Sequence, residues 1–114
     1  MVFYNLKVGS YELKYTPLKT IDINAKEWFD KVNGNSYFSG IITLNFGLKN
    51  CENILMPFQY GYGEQYEYVA SQEIKKFFNI SYEKVYPLWR FCKDNKIILR
   101  TNKQENCLKR DLLK

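Results

Sequence analysis

Apolar and polar residues alternate strictly on both sides of Gly9-Ser10, and this pattern leaves little choice of local structure. Period-two alternation is typical of strands with one buried face, and Gly-Ser suits a two-residue turn. A two-residue turn places Leu6 opposite Leu13 on one face of the pair. Residues 3–15 are therefore predicted to form a β-hairpin. Its apolar positions are Tyr4, Leu6, Val8, Tyr11, Leu13 and Tyr15.

Capping and turn residues predict a short helix and a second hairpin. Asn24 as N-cap and Glu27 three residues later favour a helix over about 25–32, with Asn33-Gly34 as its stop. The segments 39–46 and 53–58 have the composition of paired strands. Pro57 cannot donate a backbone hydrogen bond, so we expect the second of these strands to lie at an edge or to end there.

Helical periodicity begins after the second hairpin. Apolar residues recur with helical spacing over about 65–78, on a face that carries Tyr66, Ala70, Ile74 and Phe77. A helix within 82–94, a strand at 96–101 and a short helix near 105–113 are predicted to follow. The fold class is thus α+β, with two β-hairpins and a short helix before a helical C-terminal half. No repeat or linker divides the chain, so residues 1–114 are expected to form a single domain.

The positive charge is concentrated in the last third of the chain. Residues 1–79 carry eight Lys and eight acidic residues, whereas residues 80–114 carry nine Lys or Arg against four acidic residues. The whole net charge of +5 therefore falls on the second segment. Such asymmetry indicates an anionic partner, either nucleic acid or an acidic protein surface, although a solvated basic tail would show the same composition.

Residues 71–100 resemble the helix-turn-helix of winged-helix proteins. The resemblance rests on Ser71 as the first cap, Asn79 as the turn, Ile80 between the helices, Ser81 as the second cap, and Ile97-Ile98-Leu99 as the start of the wing. It implies a small basic regulatory protein that binds nucleic acid, with DNA as the expected target, through its C-terminal third. The major groove admits one exposed helix whose cations contact phosphates or base edges. The residues expected to contact nucleic acid are Tyr82, Lys84, Tyr86, Arg90 and Lys93 on the helix, and Arg100 and Lys103 on the wing.

Pro87 conflicts with an uninterrupted recognition helix. Six positions after Ser81 it would delete a backbone hydrogen bond and clash with the preceding turn. Two alternatives follow from this position. Either the helix is kinked, or the helix begins at Pro87, which suits a first helical position, and residues 80–86 form a loop.

The segment 59–68 combines Tyr and Gly in an unusual density. It predicts a tight backbone path onto the next helix, with a tyrosine surface formed by Tyr60, Tyr62, Tyr66 and Tyr68. That surface supports an alternative function, a protein-binding inhibitor or adaptor. The Lys-, Asn- and Tyr-rich composition resembles small accessory proteins of phages and mobile elements, including anti-CRISPR proteins. A small-ligand sensor with a pocket behind the Gly-Tyr-Gly loop is a third interpretation.

The composition argues against catalysis and against a bound metal or cofactor. There is no His, and the acidic residues are scattered singly. The three cysteines are odd in number and widely spaced, which disfavours a disulfide framework and a zinc site. The start of the chain does not resemble a signal peptide, and no apolar run is long enough to span a bilayer. We therefore expect a cytoplasmic protein that is neither an enzyme nor membrane-bound.

Overall fold

A computed structural model describes residues 4–8, 11–15, 18–48, 51–78 and 85–113; in the first two ranges it describes the backbone only. Five strands come first in the chain, followed by two helices, a sixth strand and a short helix. In chain order the elements are β1 (Tyr4–Val8), β2 (Tyr11–Tyr15), β3 (Thr20–Asp30), β4 (Asn35–Leu44), β5 (Glu52–Tyr60), α1 (Gln65–Phe77), α2 (Leu88–Asp94), β6 (Ile98–Gln104) and α3 (Lys109–Leu112).

Strands β1 and β2 form an antiparallel pair in the predicted register. Leu6 lies opposite Leu13, and Val8 lies opposite Tyr11. The pairing follows from the alternating pattern, because shifting the register by one residue would move every apolar side chain to the other face. The predicted burial of Leu6 and Leu13, and the Gly9-Ser10 turn itself, lie outside the described residues.

The main sheet has four strands in the order β5-β4-β3-β6. β3, β4 and β5 are antiparallel neighbours, while β6 pairs in parallel with β3. A parallel neighbour needs a crossover connection, which the α1 and α2 segment provides. β5 is an edge strand, as Pro57 predicts.

The predicted helix over 25–32 is wrong, because these residues belong to β3 and the turn that follows it. Ile21, Ile23 and Ala25 are all buried and alternate with more exposed residues, so the period is two. The capping pattern at Asn24 and Glu27 could stabilise only the start of a helix. Burying the alternating apolar face of a strand contributes more to stability and therefore decides the structure. Gly34, expected to stop a helix, instead has φ 71° and lies in the turn of the β3–β4 hairpin.

One face of the sheet packs against α1 and α2 to form the core. The apolar face of α1 carries Tyr66, Ala70 and Ile74, which are all buried, as its helical spacing predicts. α3 lies against the opposite face, where Leu112 is buried and the Lys109 ammonium lies 5.4 Å from the Trp28 ring centroid. The sheet is therefore covered by helices of different size on its two faces.

The predicted helical C-terminal half is also wrong, and with it the proposed fold arrangement. β6 joins the main sheet beside β3, so strands dominate the structure. The reason is that Ile97 and Leu99 pack into the same core as β3. α2 begins at Leu88 with Pro87 as its N-cap, so Pro87 precedes the helix, whereas the second alternative made it the first helical residue. Ser81 lies outside the described residues, and the resemblance to a winged helix stays a prediction.

Candidate functional site

A short loop, Gly61–Glu64, joins the end of β5 to α1, and contacts from three directions hold it. The Gly61 amide donates to the Ser36 carbonyl at 3.0 Å, and the Lys103 ammonium donates to the Gly63 carbonyl at 2.8 Å. A side chain at Gly61 would place its Cβ 2.7 Å from the Phe38 ring. The loop therefore packs tightly on the sheet, and this position tolerates only glycine without a shift of its neighbours.

A groove of about 480 Å³ lies over this loop, between the end of β5 and α1. Tyr60 and Tyr62 are 61% and 71% exposed, and Tyr68 and Tyr86 also expose much of their surface. The Tyr68 and Tyr86 rings meet edge to face at 5.3 Å between centroids. The lining residues are Tyr60, Gly61, Tyr62, Gly63, Glu64, Gln65, Tyr68 and Tyr86. We call this surface the tyrosine groove.

A stack of aromatic rings on the sheet supports the β5 side of the tyrosine groove. Tyr37 stacks on Trp28 at 5.5 Å and on Phe58 at 5.1 Å, and its edge meets the Tyr60 ring at 5.9 Å. Edge-to-face and offset stacked pairs stabilise ring positions beyond simple area burial. Tyr60 is thus exposed to solvent yet positioned by packed neighbours.

The sequence placed four tyrosines on this surface, and the structure brings three of them to the groove. Tyr66 is the exception, because it is 6% exposed and packs into the core. Burial raises the pKa of the Tyr66 phenol, although a hydrogen bond with Thr101 opposes the shift. Tyr86, expected to contact nucleic acid, takes the fourth place in the groove. Pro87 was the available signal, since a residue before proline is disfavoured in a helix.

Two carboxylates stand where α1 begins. Glu64 lines the groove, and Glu67 lies one helical turn further on, where its amide donates to the Glu64 carbonyl at 2.9 Å. Burial raises the pKa of Glu67, and the negative charge of Glu64 raises it further. Within the described part of the chain, neither carboxylate forms a salt bridge. The groove is therefore locally acidic in a basic protein.

The two basic residues predicted on the wing are engaged within the fold. Arg100 pairs with Asp22 at 2.6 Å. Lys103 pairs with Glu27 at 3.1 Å and with Glu105 at 3.4 Å, and its side chain is only 14% exposed. Burial by itself would lower the pKa of Lys103, but the hydrogen bonds and charges of the two glutamates outweigh it and raise that pKa.

The other predicted nucleic-acid contacts divide into two groups. Arg90 and Lys93 are exposed on α2, beside the exposed Trp89. Tyr82 and Lys84 lie outside the described residues. The five predicted residues that the structure describes differ in their surroundings: two form ion pairs within the fold, one lines the tyrosine groove, and two are exposed on α2.

A second cavity, of about 320 Å³, lies on the α3 side of the sheet. Its walls combine amide and hydroxyl groups with the exposed side chains of Ile41 and Leu55. The polar members of its lining are Asn24, Lys26, Ser39, Asn102, Gln104 and Asp111. It is separate from the tyrosine groove, because it shares no lining residue with it.

The cysteines and acidic residues form no metal site among the described residues. Cys51 is exposed, Cys107 is half-buried and Cys92 is buried, and all three are free thiols. Burial raises the pKa of Cys92 to about 12, which keeps that thiol protonated at neutral pH. Over the described ranges, no helix is both long and apolar enough to cross a bilayer.

Comparison of the chain with protein-family models, with curated proteins and with solved structures finds no match in any of the three. The site must therefore be interpreted from its own geometry and chemistry.

Proposed function

We propose that this protein is a binding module that holds a segment of a partner protein in the tyrosine groove. The observation that carries the proposal is the convergence of Tyr60, Tyr62, Tyr68 and Tyr86 on one concave surface. Three different parts of the chain supply these rings: the end of β5 with its loop, α1, and the residue before Pro87. Four exposed aromatic rings on one surface leave a large apolar area in contact with water, and surfaces of this kind mark binding sites in which a ligand covers that area.

Tyrosine suits this role for a physical reason. Its ring buries a large apolar area with only two side-chain torsions to order, and its hydroxyl can hydrogen-bond at the wet rim of an interface. Tyrosine is accordingly enriched among the residues that dominate binding energies. The packing of Tyr60 on Tyr37 and of Tyr68 on Tyr86 lowers the ordering cost further, because the rings are already positioned.

A groove favours a narrow occupant over a flat one. Its volume of about 480 Å³ is within the range of sites that bury individual side chains or small ligands. An extended peptide segment would place alternate side chains into it. An inhibitor or adaptor of a larger complex, of the kind found in phages and mobile elements, would act in this way by covering a segment that the complex needs.

A display library of random short peptides tests the proposal without knowledge of the natural partner. Peptides selected on the wild-type protein should lose affinity by about tenfold or more in Tyr62→Ala and Tyr68→Ala, as expected for central interface tyrosines. Phe46→Ala is the matched control, since Phe46 is an exposed aromatic residue outside the groove lining. Phe46→Ala should leave the affinity of the selected peptides unchanged. The proposal would be contradicted if no selected peptide lost affinity in Tyr62→Ala and Tyr68→Ala.

Nucleic-acid binding through α2 is the second candidate function. It is favoured by Arg90 and Lys93, which are exposed beside Trp89 and, over the described residues, form no salt bridge. Cations next to an exposed aromatic ring suit phosphate contact and base stacking. Neutralising Arg90 and Lys93 should flatten the slope of log affinity against log salt by about two on duplex DNA. Absence of retention of duplex, single-stranded DNA and RNA at low salt would rule this candidate out.

A further inference from the structure

The charge of the tyrosine groove is opposite to that of the protein. The chain has a net charge of +5, yet the described residues that line the groove include Glu64 and no basic side chain. Lys103 donates to the Gly63 carbonyl, and its ammonium is paired with the carboxylates of Glu27 and Glu105. Among the residues that the structure describes, no basic side chain in the groove therefore balances Glu64.

Electrostatic repulsion between the Glu64 and Glu67 carboxylates is a second observation. Burial raises the pKa of Glu67, and the nearby negative charge of Glu64 raises it further. A positive group placed in the groove would relieve this repulsion. A phosphate group would increase it, and nucleic acid is for that reason a poor occupant of this surface.

We infer that the partner segment presents an arginine side chain to the tyrosine groove, with its guanidinium against the tyrosine rings and within reach of the Glu64 carboxylate. This inference rests on the proposed function, since it specifies the chemistry of the same occupant. A guanidinium is planar, so it stacks on a tyrosine ring while its N–H groups remain free to donate to a carboxylate. Lysine would offer the charge without the plane.

Defined peptides test the inference directly. The probes are the capped peptide Pro-Pro-Arg-Pro-Pro and its counterparts with citrulline, lysine or glutamate in place of arginine. Citrulline keeps the shape and most of the donors of arginine but has no charge. We expect the arginine peptide to bind about tenfold more tightly than the citrulline peptide, from the combined cation–π and charge-assisted contacts. The glutamate peptide should bind most weakly.

The preference should depend on Glu64. In Glu64→Gln, the preference for the arginine peptide should shrink to the part that cation–π contact with the tyrosine rings supplies, while the affinity for the citrulline peptide stays unchanged. Glu64→Gln should leave the fold intact, because the side chain is exposed and makes no capping hydrogen bond at the start of α1. Glu52→Gln is the matched control: it removes the same charge at the opposite end of β5, about 26 Å from Tyr60 along the strand.

The outcomes separate this inference from the proposed function. Equal binding of the arginine and citrulline peptides to the wild-type protein, or an arginine preference that Glu64→Gln leaves undiminished, would overturn the inference. Failure of all four peptides to bind at millimolar concentration would overturn it as well. If the random library then yields groove-dependent peptides without arginine, the proposed function still holds. If the library yields no groove-dependent peptide, both proposals fail together.

Discussion

Replacing Lys103 with methionine should destabilise the fold far more than the same change at Arg100. Methionine keeps most of the aliphatic packing, so the change isolates the ammonium. At Lys103 the change removes a charged donor from Glu27 and Glu105 and leaves the Gly63 carbonyl without this donor. Each charge-assisted bond contributes about 1.5–3 kcal/mol, and breaking a buried pair costs about 3–5 kcal/mol. Since both Lys103 and Glu27 retain some exposure, we expect a loss of about 2–4 kcal/mol.

Urea titration of both variants provides the measurement. The Arg100 side chain is 56% exposed, so Arg100→Met should cost only about 0–1 kcal/mol despite its short contact with Asp22. For Lys103→Met, the urea concentration at the unfolding midpoint should fall, while the slope of the unfolding free energy against urea concentration should stay unchanged. In the double variant Glu27→Gln/Lys103→Met, the two losses should not add, because the second change removes the carboxylate that the first left unpaired. Equal losses at Lys103 and Arg100 would refute the reasoning.

Three further predictions concern the pH dependence at Lys103, the space around Gly61, and the cysteines. The difference in unfolding free energy between wild type and Lys103→Met should be fully present below the ordinary lysine pKa of 10.5. It should shrink as the pH rises through the raised pKa of Lys103 in the folded state. A difference that shrinks between pH 6 and 9 would contradict this. Gly61→Ala should destabilise by about 1–3 kcal/mol in the same titration, because its Cβ meets the Phe38 ring, and a neutral change would show that the loop yields easily. In native protein a thiol reagent should modify Cys51 readily and Cys92 only after unfolding; equal rates would contradict the burial of Cys92.

The sequence predicts well those elements in which one periodicity has no competitor. The register of the first hairpin follows from strict alternation about a two-residue turn. The buried face of α1 follows from helical spacing, although its end differs: Phe78 is buried, whereas Phe77, predicted on the inner face, is largely exposed. At α1 the local pattern and the tertiary packing favour the same structure.

The errors arise where local chemistry and tertiary packing favour different structures. A capping motif at Asn24 and Glu27 outweighed the alternation of Ile21, Ile23 and Ala25 in the prediction. β6 pairs with β3, and the two residues of the Asp22–Arg100 ion pair between these strands are 78 positions apart in the sequence. No local sequence pattern specifies a parallel pairing at that separation. The internal use of Lys103 was likewise not predictable, because a basic residue in a basic segment has no sequence feature that marks it as buried.

The tyrosine groove was predicted in part. The density of tyrosine in 59–68 indicated the surface, but Tyr86 was assigned to a recognition helix. The support of Tyr60 by Trp28 and Tyr37 was missed because the segment containing Trp28 was predicted to be helical. Convergence of distant rings is a property of the sheet register, which places Tyr37 opposite both Trp28 and Tyr60.

The most direct test of the central proposal is to locate a bound peptide by NMR on protein with labelled tyrosine rings. A peptide selected from the random library is titrated into the protein, and contacts between peptide and ring protons are recorded. The account predicts contacts at Tyr60, Tyr62, Tyr68 and Tyr86 and none at Tyr66, which is buried in the core. Contacts confined to α2, at Trp89 and its neighbours, or an absence of contacts at the groove tyrosines, would contradict it.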